Sequence, residues 1–237
     1  MMYVSDKTCN GIRLYYFALL AILYLVFYQK SVYFLFFTNT ILAYIPIDLS
    51  FLAMHSKSKY IIGGAFCIWL VFLPNTFYLM TDLFHISLMN PYDAQTMLVS
   101  KDLMNWLKLC LILLAVIPST LLGCWSIDKM ARLLVEKLFV GVYPTLMVAC
   151  LLFVNAMGLY FGRFIRLNSV DLLFQHRQTM AKITAAFNDL DRQSAAIIML
   201  LYLFSCALML AFRLITQLIR NDKESEETNE YLDRRRQ

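Results

Sequence analysis

Asn75, Tyr78, Asp82 and His85 are spaced by three, four and three residues. On a helix that spacing puts all four along one face. An Asp-x-x-His pair can act as an imidazole base steered by a carboxylate. It can also contribute to a cation site, or pair with arginine at a helix end. Only His85, His176 and a few carboxylates could complete a metal set, so neither a metal nor another cofactor is expected. A second constellation runs from Gly158 to Asp171. Gly158 and Gly162 form a small-x-x-x-small pair, which admits a neighbouring helix at close range. Arg163 and Arg166 follow, and Asn168 with Asp171 reads as a helix start with an acid in its first turn. Guanidinium groups suit phosphate, carboxylate or an acidic side chain, so Asp82 with Arg163 or Arg166 is the expected ion pair.

These residues need a scaffold, and the composition says which kind. Of 237 residues, 60% are apolar and 16% charged, against about 45–50% and about 25% in soluble domains. Mean hydropathy is +0.62. A soluble domain of this length has too little interior to hide that surface. Soluble enzymes, nucleic-acid-binding domains and disordered regulators are therefore excluded, and a polytopic all-α membrane bundle is expected. The net charge of +5 fits basic cytoplasmic loops better than a nucleic-acid footprint. None of the six cysteines forms a Cys-x-x-Cys pair. No G-x-S-x-G, H-E-x-x-H or phosphate-binding glycine loop occurs.

Six apolar runs cover residues 14–28, 32–54, 60–73, 103–125, 138–161 and 195–215. The first reads as an uncleaved signal anchor. The third continues, less apolar, to His85. Residues 29–31 and 90–93 read as turns, and 128–137 as a short basic amphipathic link. Within 163–193, Leu173, Met180 and Phe187 repeat at seven, which predicts one amphipathic interfacial helix. Residues 1–220 are expected to form a single integral membrane domain, and 221–237 a charged, disordered tail. With six spans, thirteen Lys and Arg fall on the side of the termini and eight on the other. The positive-inside rule then places both termini in the cytoplasm and the chain in the plasma membrane. Five of the eight lie in 163–192, beside the second constellation.

Three polar residues fall inside spans. Asn39 and Asn155 sit at similar depths and either extend the polar site or bond to backbone. Asp48 follows Pro46 nearer the cytoplasmic end, with Lys57 or Lys59 as its expected neighbours.

Leu73-Pro74-Asn75, Tyr78 and Thr81-Asp82-Leu83-Phe84-His85 resemble the signature of a bacterial multi-pass membrane family, catalogued as domain of unknown function 1361. The run from Gly162 to Asp171 resembles its second signature, and Asn39 with Leu42-Ala43-Tyr44-Ile45-Pro46 a weaker third. Phe77 stands where that pattern expects proline, and Val170 where it expects tryptophan. The resemblance implies a polytopic protein whose distinctive positions are Asn75, Tyr78, Asp82, His85, Arg163, Arg166, Asn168 and Asp171. It implies no activity. Three functions follow from the residues themselves. The first is a binding or accessory module for an anionic lipid headgroup or another envelope membrane protein. The second is an enzyme acting on a lipid-linked or envelope substrate, with His85 and Asp82 as its acid/base pair. The third is a small transporter whose path Asn39, Asp48 and Asn155 would line.

Overall fold

In a bilayer each backbone N–H and C=O must be satisfied within the chain, so long apolar runs become helices. The computed structural model describes residues 4–28, 33–89, 92, 96, 98–99, 101–167 and 169–236. Helix α1 (Asp6–Phe27) starts on Ser5, whose hydroxyl accepts from the Thr8 amide at 3.2 Å. α2 (Phe34–His55) carries Pro46 in its interior. The third apolar run is two helices, α3 (Lys59–Phe72) and α4 (Pro74–Asp82), followed by a 3₁₀ segment, Leu83–Met89. Pro74 forces that division: it fits the first turn of a helix but lacks the N–H that would continue α3. The others are α5 (Leu103–Lys137), α6 (Pro144–Phe164), α7 (Ser169–Phe174), α8 (His176–Asn188) and α9 (Arg192–Arg236). Six helical stretches are long and apolar enough to cross a membrane, which makes an all-α bundle of six spans.

Polar side chains knit the interior. Trp69 of α3 is fully buried and donates its indole N–H to Ser126 of α5 at 2.6 Å. Ser126 meets Ser50 of α2 at 2.5 Å, and Ser50 returns to the Pro46 carbonyl at 2.9 Å. In hydrocarbon these hydroxyls have no water to turn to, so they find one another.

Three expectations change. The link expected over 128–137 is the end of one 35-residue helix, α5. No glycine or proline interrupts the chain between Gly123 and Gly141, where φ reaches +97°. Asp128, buried there, accepts from Arg132 at 2.9 Å and from Arg213 of α9 at 2.9 Å. The single amphipathic helix is two, broken at Gln175, with Met180 and Phe187 of its stripe half-exposed. Asp48 pairs with Arg13 of α1 at 2.8 Å and accepts from Tyr44 at 3.2 Å, rather than meeting Lys57 or Lys59. Residues 221–236 continue α9 as helix, and nothing after Arg192 is glycine or proline. Its start is held by Asp191, which accepts from the Ser194 amide at 2.7 Å. The Ser194 side chain, with its amide, keeps the Asp191 carboxyl below the ordinary aspartate range. The turn expected at 29–31 lies outside the described residues, as does that at 90–93 apart from Tyr92, which bridges to Val99.

Candidate functional site

The helical restart at Pro74 turns the polar stripe of α4 towards α2 on one side and α6 on the other. Asp82, the last residue of α4, is 1% exposed. Its two carboxylate oxygens are both engaged. Oδ2 accepts from Asn39 Nδ2 of α2 at 2.7 Å, and Oδ1 from Arg163 Nη2 of α6 at 2.5 Å. Arg163 also donates to the Thr81 hydroxyl, from Nε at 2.8 Å and Nη2 at 2.7 Å. Its guanidinium lies 4.0 Å from the centre of the Tyr78 ring. A buried carboxylate is tolerable only with such a set of donors, because desolvation would otherwise outweigh the charge attraction. Two glycines let α6 approach this closely. A Cβ on Gly158 would run into the Pro74 ring, and one on Gly162 would lie 3.1 Å from Tyr78 Cε2.

His85 follows in the 3₁₀ segment. Its Nδ1 lies 3.1 Å from the Asp82 carbonyl oxygen and 3.9 Å from the carboxylate. The backbone, not the carboxylate, is therefore the nearer partner of the imidazole. Asn75 donates to the Phe72 carbonyl at 3.0 Å and to Ser169 Oγ of α7 at 2.9 Å. Ser169 donates in turn to the Val71 carbonyl at 3.0 Å. This chain pins the start of α7 to the α3–α4 joint.

Arg166 differs from Arg163. It follows the C-cap of α6 with φ +55°, a left-handed conformation usual for glycine and uncommon for a long side chain. The Leu167 amide returns to the Phe161 carbonyl at 3.3 Å and closes the helix end. The Arg166 side chain is exposed, and it makes no hydrogen bond or ion pair with any described residue.

Together these groups line the polar end of a cleft of about 1000 Å³. Its floor is α3 and α4, its walls are α2 and α6, and α7 and α8 cover it with Leu172 and Ile183. Asn39, Asn75, Tyr78, Asp82, His85, Arg163 and Arg166 all reach it; Asp171 is not among its lining residues, and Asn168 lies outside the described residues. Asn155 is buried against α9 instead, with Nδ2 3.5 Å from Ser205 Oγ and its carbonyl oxygen unpaired. Of Asn39, Asp48 and Asn155, Asn39 alone is among the residues that line this cleft, and Asp48 pairs with Arg13. Thr81 and Ser169 complete the site; both fall in the stretches that carry the family resemblance, but the sequence assigned neither a role. Nor did the sequence point to the Asp128–Arg213 pair. Among the described residues no three His, Cys, Asp or Glu side chains are grouped to hold a metal ion.

A family model described as Protein of unknown function (DUF1361) matches residues 38–210. The chain belongs to this family. The matched span begins one residue before Asn39 and takes in the whole α4 stripe, both arginines and α7–α8. Apart from Leu35, the cleft's lining residues fall within the DUF1361 region, whereas the Arg13–Asp48 pair has its basic partner outside it. No curated protein and no solved structure matches the chain.

Proposed function

We propose that the cleft binds the anionic headgroup of a membrane lipid, and that the protein is a binding or accessory module of the plasma membrane. Arg166 carries this reading. It is a cation at the polar end of the cleft without an acidic partner among the described residues, held in a left-handed backbone conformation. Arg163 has spent its charge on Asp82, so the cleft's polar end keeps one uncompensated positive charge. The Tyr78 ring and the His85 imidazole stand beside it as hydrogen-bonding groups. Strain at a site residue is tolerated where the side chain's position matters.

In Arg166→Gln, purified protein loses about tenfold in affinity for phosphatidylglycerol, the scale of one charge-assisted hydrogen bond. Retention of phosphatidylcholine is unchanged. Native mass spectrometry of the two lipids on wild type and variant checks this; equal loss or no loss of both overturns it.

A second reading draws on His85. Hydrogen bonding of Nδ1–H to the Asp82 carbonyl leaves Nε2 as the basic nitrogen, within a cleft that can admit a lipid. An enzyme of lipid-linked substrates would then lose turnover in His85→Gln while keeping lipid affinity. A binding module would keep its cellular role in that variant.

We read both termini as cytoplasmic and the cleft as facing the outer leaflet, a reading that the basic bias of the loops supports. Phe84 is 82% exposed beside the site, and Val140 is 82% exposed in the turn between α5 and α6. With the native cysteines replaced, Phe84→Cys is labelled by a membrane-impermeant thiol reagent in intact cells, and Val140→Cys only after lysis. The reverse pattern would invert the topology and bring soluble cytoplasmic anions within reach of Arg166.

A further inference from the structure

We infer that the occupant is a whole long-chain lipid that enters sideways between α2 and α6 and lays an acyl chain along the cleft. The inference rests on the headgroup reading and adds the ligand's apolar part. The observation behind it is the cleft's shape. Its polar groups gather at one end, near Asp82 and Arg163, and its far end is lined by Leu42, Leu70 and Val154. From Arg163 to Val154 along α6 is about 14 Å, and from Asp82 to Leu70 along the α3–α4 floor about 18 Å, at about 1.5 Å per residue. Half of a hydrocarbon core of about 30 Å is about 15 Å. The cleft is therefore as deep as one leaflet. A soluble anion would use only its polar end.

The edges of the cleft suit lateral entry. Leu35 on α2 and Val154 on α6 both line the cleft and are each 42% exposed. Trp69 on α3 and Leu152 on α6, just past Leu70 and Val154 along their helices, are buried in the core. A lipid drawn from the same leaflet would keep its headgroup level with Arg166 throughout, with no charge crossing hydrocarbon.

The test uses the full chain in detergent and four probes: phosphatidylglycerol with long chains, the same headgroup with six-carbon chains, glycerol phosphate, and long-chain phosphatidylcholine. Wild type should bind the long-chain anionic lipid at least about tenfold more tightly than its six-carbon counterpart, the equivalent of about two buried methylenes. Glycerol phosphate should bind more weakly again. Val154→Trp fills the far end from an open face of α6, and should remove that chain-length advantage while leaving glycerol phosphate affinity within about twofold of wild type. Leu42→Trp does the same from α2 if the first variant fails to accumulate. Equal affinity for long and short chains on wild type overturns the inference and leaves the headgroup reading standing. A chain-length advantage that is the same for phosphatidylcholine and insensitive to Arg166→Gln supports the chain seat and overturns the headgroup reading. A chain-length advantage that survives both tryptophan variants in folded protein overturns the proposed seat.

Discussion

Arg163→Gln loses about 3–5 kcal/mol of stability, the cost of stranding a buried carboxylate whose cation has been removed. Asp82 is 1% exposed and would keep only the Asn39 amide as a donor. Glutamine cannot supply three N–H groups at once to Asp82 and Thr81, nor stack a cation on Tyr78. The variant should accumulate poorly, and its thermal midpoint in detergent should fall by more than that of any other single change at the cleft. Asp82→Asn is milder, at about 1–2 kcal/mol. Its amide still pairs with Asn39, and the freed guanidinium keeps Thr81 and the Tyr78 ring and can reach the rim. The double variant Arg163→Gln with Asp82→Asn should therefore be more stable than Arg163→Gln alone. That sign reversal would not arise if Arg163 acted only through packing, so a double variant at or below the single one sinks the ion-pair account.

This asymmetry gives the two arginines different roles. Arg163 is fixed in place by four contacts and joins α6 to α4. Arg166, three residues on, has the same charge and none of those partners. The sequence spacing could not divide them. Both follow the Gly158–Gly162 pair, and the helix end between them carries no glycine or proline to announce it. Only the left-handed turn at Arg166 separates their fates.

Other features were legible because they are local. The three-four-three spacing of the α4 stripe gave its shared face, and the small-residue pair gave the close approach of α6, since helical period alone decides both. Asn39 donates to Asp82 from α2. Asn155 lies at a comparable depth but does not line the cleft. It is one residue on from Val154, turned about 100° round the helix, and so faces Ser205 rather than the cleft. Depth follows from counting residues along a span; azimuth depends on which helices are neighbours, which no single span encodes. The same limit applies to Asp48. Nearby lysines lie in sequence, yet its cation comes from α1, 35 residues away. Asp128 was hidden because α5 outruns its own apolar stretch and carries the acid to Arg213 on the last span.

The spacing between α4 and α6 is the quantity on which the pair and the cleft both depend, and it can be tested without touching a charge. Gly158 sits against Pro74, so an added methyl would overlap the Pro74 ring. That ring cannot rotate aside, because it is locked into the backbone at the α3–α4 joint. Gly158→Ala must push α6 outward, at about 1–3 kcal/mol, and Gly158→Leu more. Displacement of α6 carries Arg163 away from Asp82, so the packing cost and part of the ion-pair cost fall together. Gly162→Ala meets only the edge of the Tyr78 ring at 3.1 Å, which can tilt by a few tenths of an ångström. Gly63→Ala meets nothing within 4 Å and should gain about 0.5–1 kcal/mol from lower backbone entropy in the unfolded chain. The thermal midpoints should therefore rank Gly158→Ala lowest, Gly162→Ala next and Gly63→Ala at or above wild type. If Gly158→Ala melts with Gly63→Ala, then α6 does not rest on Pro74 and the cleft's wall is misplaced. If Gly158→Ala melts low but recovers when Pro74 is also changed to alanine, the contact itself is what sets the distance between the two helices, and with it the seat of Arg163.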